Sequence, residues 1–364
     1  MTETPQASPA AHARRPMARM CAPLAPTAGE RADSRHAPVD VAGLLAAEFA
    51  ARWPDEVHGM DAVHGYALLP TGKLLRPALV VHSALAVGGD AEQVLPAAVG
   101  MECVHTGSLV HDDIVDADDE RRGRPAVHVA FGPERAIIAG SSLYFAWFAM
   151  LAECAGRGVP ADRIARAMAV QAESGKAMCQ GVFDELGLAG DLECPIGDYL
   201  AMAGRKTGGL LSGSCRVGAI LGGGDDGQVE ALGAFGRHIG LAFQIRDDLL
   251  PYADESAATM GKPADSDVSN HRPTLPVLLA HERGTVAQRA AVRHALLDET
   301  NPHTALARMR ELVETTGALA EASAMAASFE RSAREAIAGL PANPSTLALS
   351  HWSQPRPGPA PVPA

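Results

Sequence analysis

The stretch that most constrains this chain runs from Glu102 to Pro125. It is an apolar run that ends in three carboxylates, Asp112, Asp113 and Asp116, followed closely by Arg121 and Arg122. On a helix, Asp112 and Asp116 are four residues apart and share one face, with Asp113 beside them. Carboxylates packed this closely repel one another, and a divalent cation between them relieves the repulsion. Oxygen-only ligands suit Mg2+, which keeps several waters and takes substrate phosphates as further ligands. The forked donors of Arg121 and Arg122 match phosphate oxygens.

A second acidic pair lies far downstream. Asp247 and Asp248 close the apolar segment from Gly240 to Leu250, with Gln244 three residues before Asp247 and on the same helical face. Two acidic clusters on two helices can face one cavity and share several Mg2+ ions. That arrangement suits a substrate whose diphosphate is first held and then released.

The segments between and around these clusters read as helices. Ala and Leu are abundant and β-branched runs are short, which favours an all-α chain over a sheet protein. Breaks fall at Pro54, Pro70, Gly88-Gly89, Pro125, Pro133, Pro160, Pro195, Gly222 to Gly224, Pro263 and Pro276. Nothing reads as a sheet. A single large helical bundle around a central cavity is the natural architecture, with site residues projecting inward from facing helices. Asp40 is placed to cap a first helix carrying Val41, Leu44, Leu45 and Phe49 at helical spacing. Residues 1–37 read as a disordered tail, 38–345 as the catalytic domain, and 346–364, rich in proline, as a second tail.

The net charge of -12 argues against nucleic acid as a partner. Cys21, Cys103, Cys154, Cys179, Cys194 and Cys215 are scattered without metal-ligand spacing, which fits a reduced cytoplasm. Arg14-Arg15 is not followed by a clean apolar segment and does not read as a targeting signal. The apolar run from Ala136 to Ala152 is short for a membrane span and reads as a buried bundle helix.

With these motifs in this order, the chain resembles a trans-isoprenyl diphosphate synthase of the polyprenyl synthetase family, of the geranylgeranyl diphosphate synthase kind. The resemblance runs from about Gly72 to Pro276 and implies the isoprenoid synthase fold. It implies that Gly72, Lys73, Arg76, His105 and Arg122 grip isopentenyl diphosphate. Arg121, Lys206, Thr207, Gln244 and Lys262 would attend the allylic diphosphate. Asp112, Asp116 and Asp247 would hold Mg2+, with Asp113, Asp248 and Lys206 completing the catalytic set. The usual third aspartate of the second motif is replaced by Pro251.

A further family motif, Gly-Gln-x-x-Asp, maps here in two competing frames. One uses Gln180, with Cys179 for the glycine and Phe183 in the acidic place, Asp184 falling one step late; it keeps the glutamine that approaches the allyl group and is the frame expected. The other uses Gly181, with Val182 for the glutamine and Glu185 for the aspartate.

The reaction implied is ionisation of an allylic diphosphate and condensation with isopentenyl diphosphate, giving a geranylgeranyl or longer product. Gly107 and Ser108, just before the first motif, are small and leave no aromatic stopper there. Tyr144, Phe145, Trp147 and Phe148 are candidates for a deeper floor. Alternatives are a class I terpene cyclase, disfavoured by the isopentenyl-site cations, and a weakly active partner subunit of a heteromer. The resemblance also implies a homodimer.

Overall fold

The computed structural model describes residues 39–54, 58–252 and 265–353. Helix α1 (Val41–Arg52) begins where the Asp40 carboxylate accepts a hydrogen bond from the Gly43 amide at 2.9 Å, and it buries Val41, Leu45 and Phe49. Next come α2 (Met60–Leu68), α3 (Leu75–Ala86) and the long helix α4 (Ala91–Val115). A two-stranded hairpin, β1 (Glu120–Arg121) and β2 (Arg124–Pro125), follows. Then come α5 (Val127–Phe131), α6 (Pro133–Glu153), α7 (Ala161–Gly187) and α8 (Ile196–Ala203). A π turn over Gly204–Gly208 leads into α9 (Gly209–Gly222) and α10 (Asp226–Leu249). The chain ends in α11 (Ser266–Ser269), α12 (Leu275–Arg283), α13 (Val286–Arg293), α14 (Pro302–Thr315), α15 (Ala318–Ala336) and α16 (Pro344–Trp352).

The all-α expectation is met. The hairpin corrects the reading that no sheet forms, although it is one tight turn rather than a layer. Its two-residue loop, Arg122 and Gly123, has positive φ at both positions, 57° and 74°. That is the backbone a right-twisted hairpin demands.

Local chemistry sets the helix ends. Proline stands in the first turn of α6, α12, α14 and α16, where its missing amide costs nothing. Asp225 and Gln228 form a reciprocal capping box at the start of α10. Gly223, at φ 88°, ends α9 in the left-handed region.

Helix α4 is the centre of the bundle. Val94 through Val104 are buried without a break, three turns with no solvent face. A helix sealed all round belongs inside, surrounded by other helices. It packs most extensively against α6 and also against α1, α3 and α9. One core cluster joins α3, α4, α7, α9 and α10, with Leu79, Met101, Leu211 and Phe235 fully buried. A second joins α8, α10, α12, α14 and α15. Because α10 belongs to both clusters, the second acidic pair stands at the junction of the two halves.

Helix α6 is the one described helix long and apolar enough, by length and composition, to cross a membrane. Its inner face packs on α4, as the reading of Ala136 to Ala152 as a bundle helix anticipates. The helical fold also runs past the expected boundary at 345. The Asn343 side chain accepts from the Ser345 and Thr346 amides and donates to Ala86 O at 3.0 Å, fixing α16 on α3. The N-terminal tail and the Pro-rich segment from Pro355 lie outside the described residues.

His82 is held under α16, 3.3 Å from the Ser345 hydroxyl and edge-on to Trp352. Burial pushes its pKa from 6.5 down to about 4. The unfolded chain takes a proton near pH 6.5 that the folded chain refuses. Stability therefore falls as the pH is lowered from about 6.5 toward 4. In unfolding curves measured across that window, His82→Asn is expected to flatten the acid-side loss. An unchanged slope would contradict this placement.

Candidate active site

The first acidic motif forms where α4 stops. Ala117, at φ 55°, turns the chain, and the Asp118 amide donates back to Asp113 O at 3.0 Å. This helix ending leaves Asp112, Asp113 and Asp116 on the last turn. The chain then runs straight into the hairpin, which returns Arg121 to the motif. Its Nε donates to Asp113 Oδ1 at 2.7 Å, and Nη2 donates to the same oxygen. Asp113 is buried, and burial raises its pKa against the lowering effect of Arg121. Asp112, one residue earlier, is half-buried, and its carbonyl accepts from the Asp116 amide at 2.8 Å.

Asp116 receives its cation from far along the chain. Arg272, just before α12, donates from Nη2 to Asp116 Oδ1. The same guanidinium lies 3.8 Å from Glu185 Oε2 on α7 and 4.0 Å from Asp267 Oδ1. Lys206, in the π turn, donates from Nζ to that same Glu185 oxygen. Two cations and three carboxylates thus interleave from α4, α7, the π turn and the segment before α12. Burial lowers the pKa of Arg272, but the surrounding carboxylates outweigh it and drive the value up.

The second motif divides its two carboxylates between different environments. Asp247 is exposed, whereas Asp248 is buried and saturated. Gln244 Nε2 donates to Asp248 Oδ1 at 2.9 Å. The Tyr199 hydroxyl and the Leu275 amide, the latter at 3.1 Å, donate to Oδ2. The Thr207 hydroxyl donates to Gln244 Oε1 at 2.6 Å. Asp248 therefore ties α8, α10, α12 and the π turn together. Burial pushes it up to about 7 in spite of three donors.

A separate cationic cluster lies on the other side of the hairpin. Arg122 Nη2 is 3.9 Å from Glu102 Oε1, and the Arg76 guanidinium is also held in the field of Glu102. Burial pushes Arg76 down to about 10, and burial raises Glu102 despite both arginines. Gly72 is needed here, since a Cβ would stand 2.8 Å from Arg122 Nη2. His105 lies among Arg76, Arg122 and Arg121. Burial first, and then these three charges, lower its pKa well below 6.5, so its imidazole is neutral. Lys73 sits exposed at the mouth.

The sequence-read residues thus fall into two groups. Gly72, Arg76, His105 and Arg122 come together. So do Asp116, Lys206, Thr207, Gln244 and Asp248, through the chain of contacts just described. Lys262 lies outside the described residues. Sequence reasoning assigned no role to Glu102, Tyr199 or Arg272. Glu102 is a carboxylate within an otherwise apolar helical segment, and that signal was legible. Arg272 opens the stretch Arg272 to Pro276 that the family resemblance includes, but its partner Asp116 is found only in the fold. Tyr199 carries no local signal, because only the fold brings it in.

The third-motif frame is settled by packing. Gly181 is buried against the π turn, where a Cβ would stand 2.3 Å from the Lys206 amide nitrogen. Glu185, one turn on, faces Lys206 and Arg272. Gln180 is exposed and donates to Asp184 Oδ1 at 2.8 Å, and Phe183 projects outward. This corrects the expected Gln180 frame: the frame is the one with Gly181, Val182 and Glu185, so an apolar side chain stands where the family pattern has the glutamine.

Gly181→Ala is accordingly expected to cost about 1–3 kcal/mol by overpacking. Gln180→Ala is expected to stay within about 0.5 kcal/mol, as exposed positions do. Paired chemical denaturation curves test this, and equal losses would contradict the frame.

Known proteins resemble this chain in sequence and fold. The sequence profile of the family described as Polyprenyl synthetase matches residues 58–314. A short chain isoprenyl diphosphate synthase of Methanothermobacter thermautotrophicus is 36% identical over 279 residues, covering 77% of this chain and 84% of the relative. A geranylgeranyl diphosphate synthase of Methanosarcina mazei is 36% identical over 266 residues, covering 73% and 79%. Among solved structures, geranylgeranyl pyrophosphate synthetase from Pyrococcus horikoshii superposes with a TM-score of 0.77 at 29% identity, over 86% of this chain and 94% of that one. A polyprenyl synthase from Caulobacter crescentus, complexed with calcium and isoprenyl diphosphate, gives 0.78 at 29% identity, over 86% and 93%. Two acidic motifs joined through Arg272 and Lys206, beside a neutral-histidine arginine cluster, and a match over most of the chain lead to one assignment: the chain belongs to the polyprenyl synthetase family and is a prenyltransferase.

Proposed function

We propose that the arginine cluster binds isopentenyl diphosphate and the acidic cleft binds the allylic diphosphate, so that the two substrates meet across the hairpin. The observation that carries this reading is the opposite aim of two adjacent residues. Arg121 returns to Asp113 of the first motif, while Arg122 turns to Gly72 and Glu102. One tight turn therefore sets the spacing of the two diphosphate sites, and holding two reactants in register lowers the entropic part of the barrier.

Metal ions fit this cleft as substrate-linked ligands. Among the described residues, no three His, Cys, Asp or Glu side chains converge into a ready cage. Mg2+ seldom uses one; it takes one or two carboxylates and completes its shell with water and phosphate oxygens. Asp112 and Asp116 on α4, with Asp247 on α10, supply oxygen donors of that kind. When bound, the ions would neutralise the diphosphate and make it a better leaving group. The calcium in the Caulobacter crescentus relative supports divalent-ion use.

The chain's own groups do the rest. Lys206 adds positive charge where the leaving oxygens gain negative charge. The allylic carbon–oxygen bond breaks and its electron pair leaves with the diphosphate. The double bond of isopentenyl diphosphate attacks the allylic carbon, forming a carbon–carbon bond. A proton is then lost to the released diphosphate. Neutral His105 can donate a hydrogen bond to an isopentenyl phosphate oxygen without removing a proton from the site. The cyclase and weak-subunit alternatives find no support among the relatives. The free state of Cys103, Cys154, Cys179, Cys194 and Cys215 supports a reducing, cytoplasmic setting.

Incubation of the purified chain with Mg2+, isopentenyl diphosphate and an allylic primer is expected to yield a longer prenyl diphosphate. Asp112→Ala is expected to lower the rate by at least about a hundredfold, the scale of losing one charge-stabilising group. Hydrocarbon formed without isopentenyl diphosphate, or full activity in the variant, would overturn the reading.

A homodimer is supported by large apolar side chains left exposed on α6 and α7. Phe145 is 76% exposed and Phe183 72%, with Ile138, Met168 and Leu186 also open. Large exposed apolar side chains on neighbouring helices mark association surfaces. Light scattering is expected to give a dimer for the wild type and a monomer for Phe145→Glu/Phe183→Glu. A monomeric wild type would refute this.

A further inference from the structure

Arg121, Arg122 and Arg124 stand on one hairpin, and each is docked on a different part of the chain. Arg121 meets Asp113 on α4. Arg122 meets Glu102 and, through Nη1, Pro70 O at 3.4 Å. Arg124 is held by Tyr66, on α2. Its guanidinium carbon lies 4.3 Å from the centre of the Tyr66 ring, and its Nη2 donates to Tyr66 O. The Tyr66 hydroxyl donates in turn to Pro125 O at 2.8 Å. Both residues of β2 are thus tied to Tyr66, one through the ring face and backbone and the other through the phenol.

Tyr66 is itself fixed from behind. Its ring meets Phe131 edge-on, with centroids 5.0 Å apart, and packs on the buried cluster of Val63, Val110, Val127, Ala136 and Ala139. That cluster joins α2, α4, α5 and α6, so Tyr66 connects the hairpin to the body of the bundle. The grip uses neutral groups, a ring face and two carbonyls. A carboxylate in the same place would weaken the positive field of Arg121 and Arg122.

We infer that Tyr66 is a positioning residue for both diphosphate sites: by gripping Arg124 and Pro125 it fixes the hairpin, and with it the places of Arg121 and Arg122. This role rests on the proposed function and falls to a residue outside both clusters. The tight turn transmits the grip. Arg121 pairs directly with Arg124 across the two strands, and only Arg122 and Gly123 lie between them. The Ala126 amide donates to Asp119 O at 2.8 Å and closes the base of the hairpin. A shift of β2 therefore carries β1 with it. Loss of the grip displaces Arg121 and Arg122 together, and small displacements are costly where two reactants must be held in register.

The test measures KM for isopentenyl diphosphate and for farnesyl diphosphate in wild type, Tyr66→Phe and Tyr66→Leu, with thermal melting to verify folding. Tyr66→Leu loses both the ring face and the hydroxyl, and is expected to raise both KM values at least about tenfold. Tyr66→Phe keeps the ring under Arg124 and loses one hydrogen bond, and is expected to raise both by about threefold. A folded Tyr66→Leu with wild-type KM values, or with only one of the two raised, would overturn the inference. If the leucine variant does not fold, Tyr66→Phe decides, and unchanged KM values in it would overturn the inference.

If the wild type elongates no primer, the proposed function fails, and the grip is tested by hydrogen exchange instead. The Ala126 amide is expected to exchange at least about tenfold faster in Tyr66→Leu than in wild type, while the amides of the α4 interior, Val94 to Val104, keep their wild-type rates. Equal Ala126 rates in the two proteins, or the same acceleration throughout α4, would overturn the inference.

Discussion

Everything at this site depends on balancing carboxylates that would otherwise repel. The Arg272 guanidinium sits among Asp116, Glu185 and Asp267, and Lys206 shares Glu185 from the other side. These groups come from four separate parts of the chain. Their mutual attraction in a partly buried cleft is larger than the same pairs would have in water, and none of the carboxylates could be packed so closely without it. The inner members of the two aspartate pairs follow the same logic. Asp113 is answered by Arg121, and Asp248 by Tyr199, Gln244 and Leu275 N. Removing one partner of such a set leaves a buried charge unpaired, which is costly.

The arginine cluster solves a different problem. Two guanidinium groups in one cluster repel, and buried Glu102 supplies a counter-charge felt by both. A neutral His105 adds a donor without a third positive charge. The site therefore keeps a net positive field suited to a diphosphate while remaining stable when empty. A chain with a net charge of -12 can still attract an anionic substrate, because the field is set locally.

Much of this was legible in the residue order. Asp112 and Asp116 fix a helical face by spacing alone, and Pro and Gly positions mark the ends of α6, α7, α8 and α9. The Arg122–Gly123 turn was not read as a hairpin, because two strands of two residues carry no alternating pattern. Residues beyond 345 were read as tail on account of the terminal prolines, yet Asn343 caps a helix that packs on α3. The third-motif frame could not be chosen from spacing, because Gln180 and Gly181 each match part of the pattern. Only the contact of Gly181 with the Lys206 backbone decides it. The pairings of Tyr199 with Asp248 and of Arg272 with Asp116 are invisible locally, because the partners lie 49 and 156 residues apart. The room beside Gly107 looked open for the same reason, since Tyr144 reaches it from another helix.

The central claim is that the acidic cleft binds a diphosphate only through divalent ions held by both aspartate motifs. Calorimetric titration of a non-reactive allylic diphosphate analogue, with and without Mg2+, tests this most directly. The account predicts tight binding with Mg2+ and at least tenfold weaker binding without it. It also predicts loss of the Mg2+ effect in both Asp112→Ala and Asp247→Ala. Equal affinity in the presence and absence of Mg2+, with both variants binding like wild type, would contradict it.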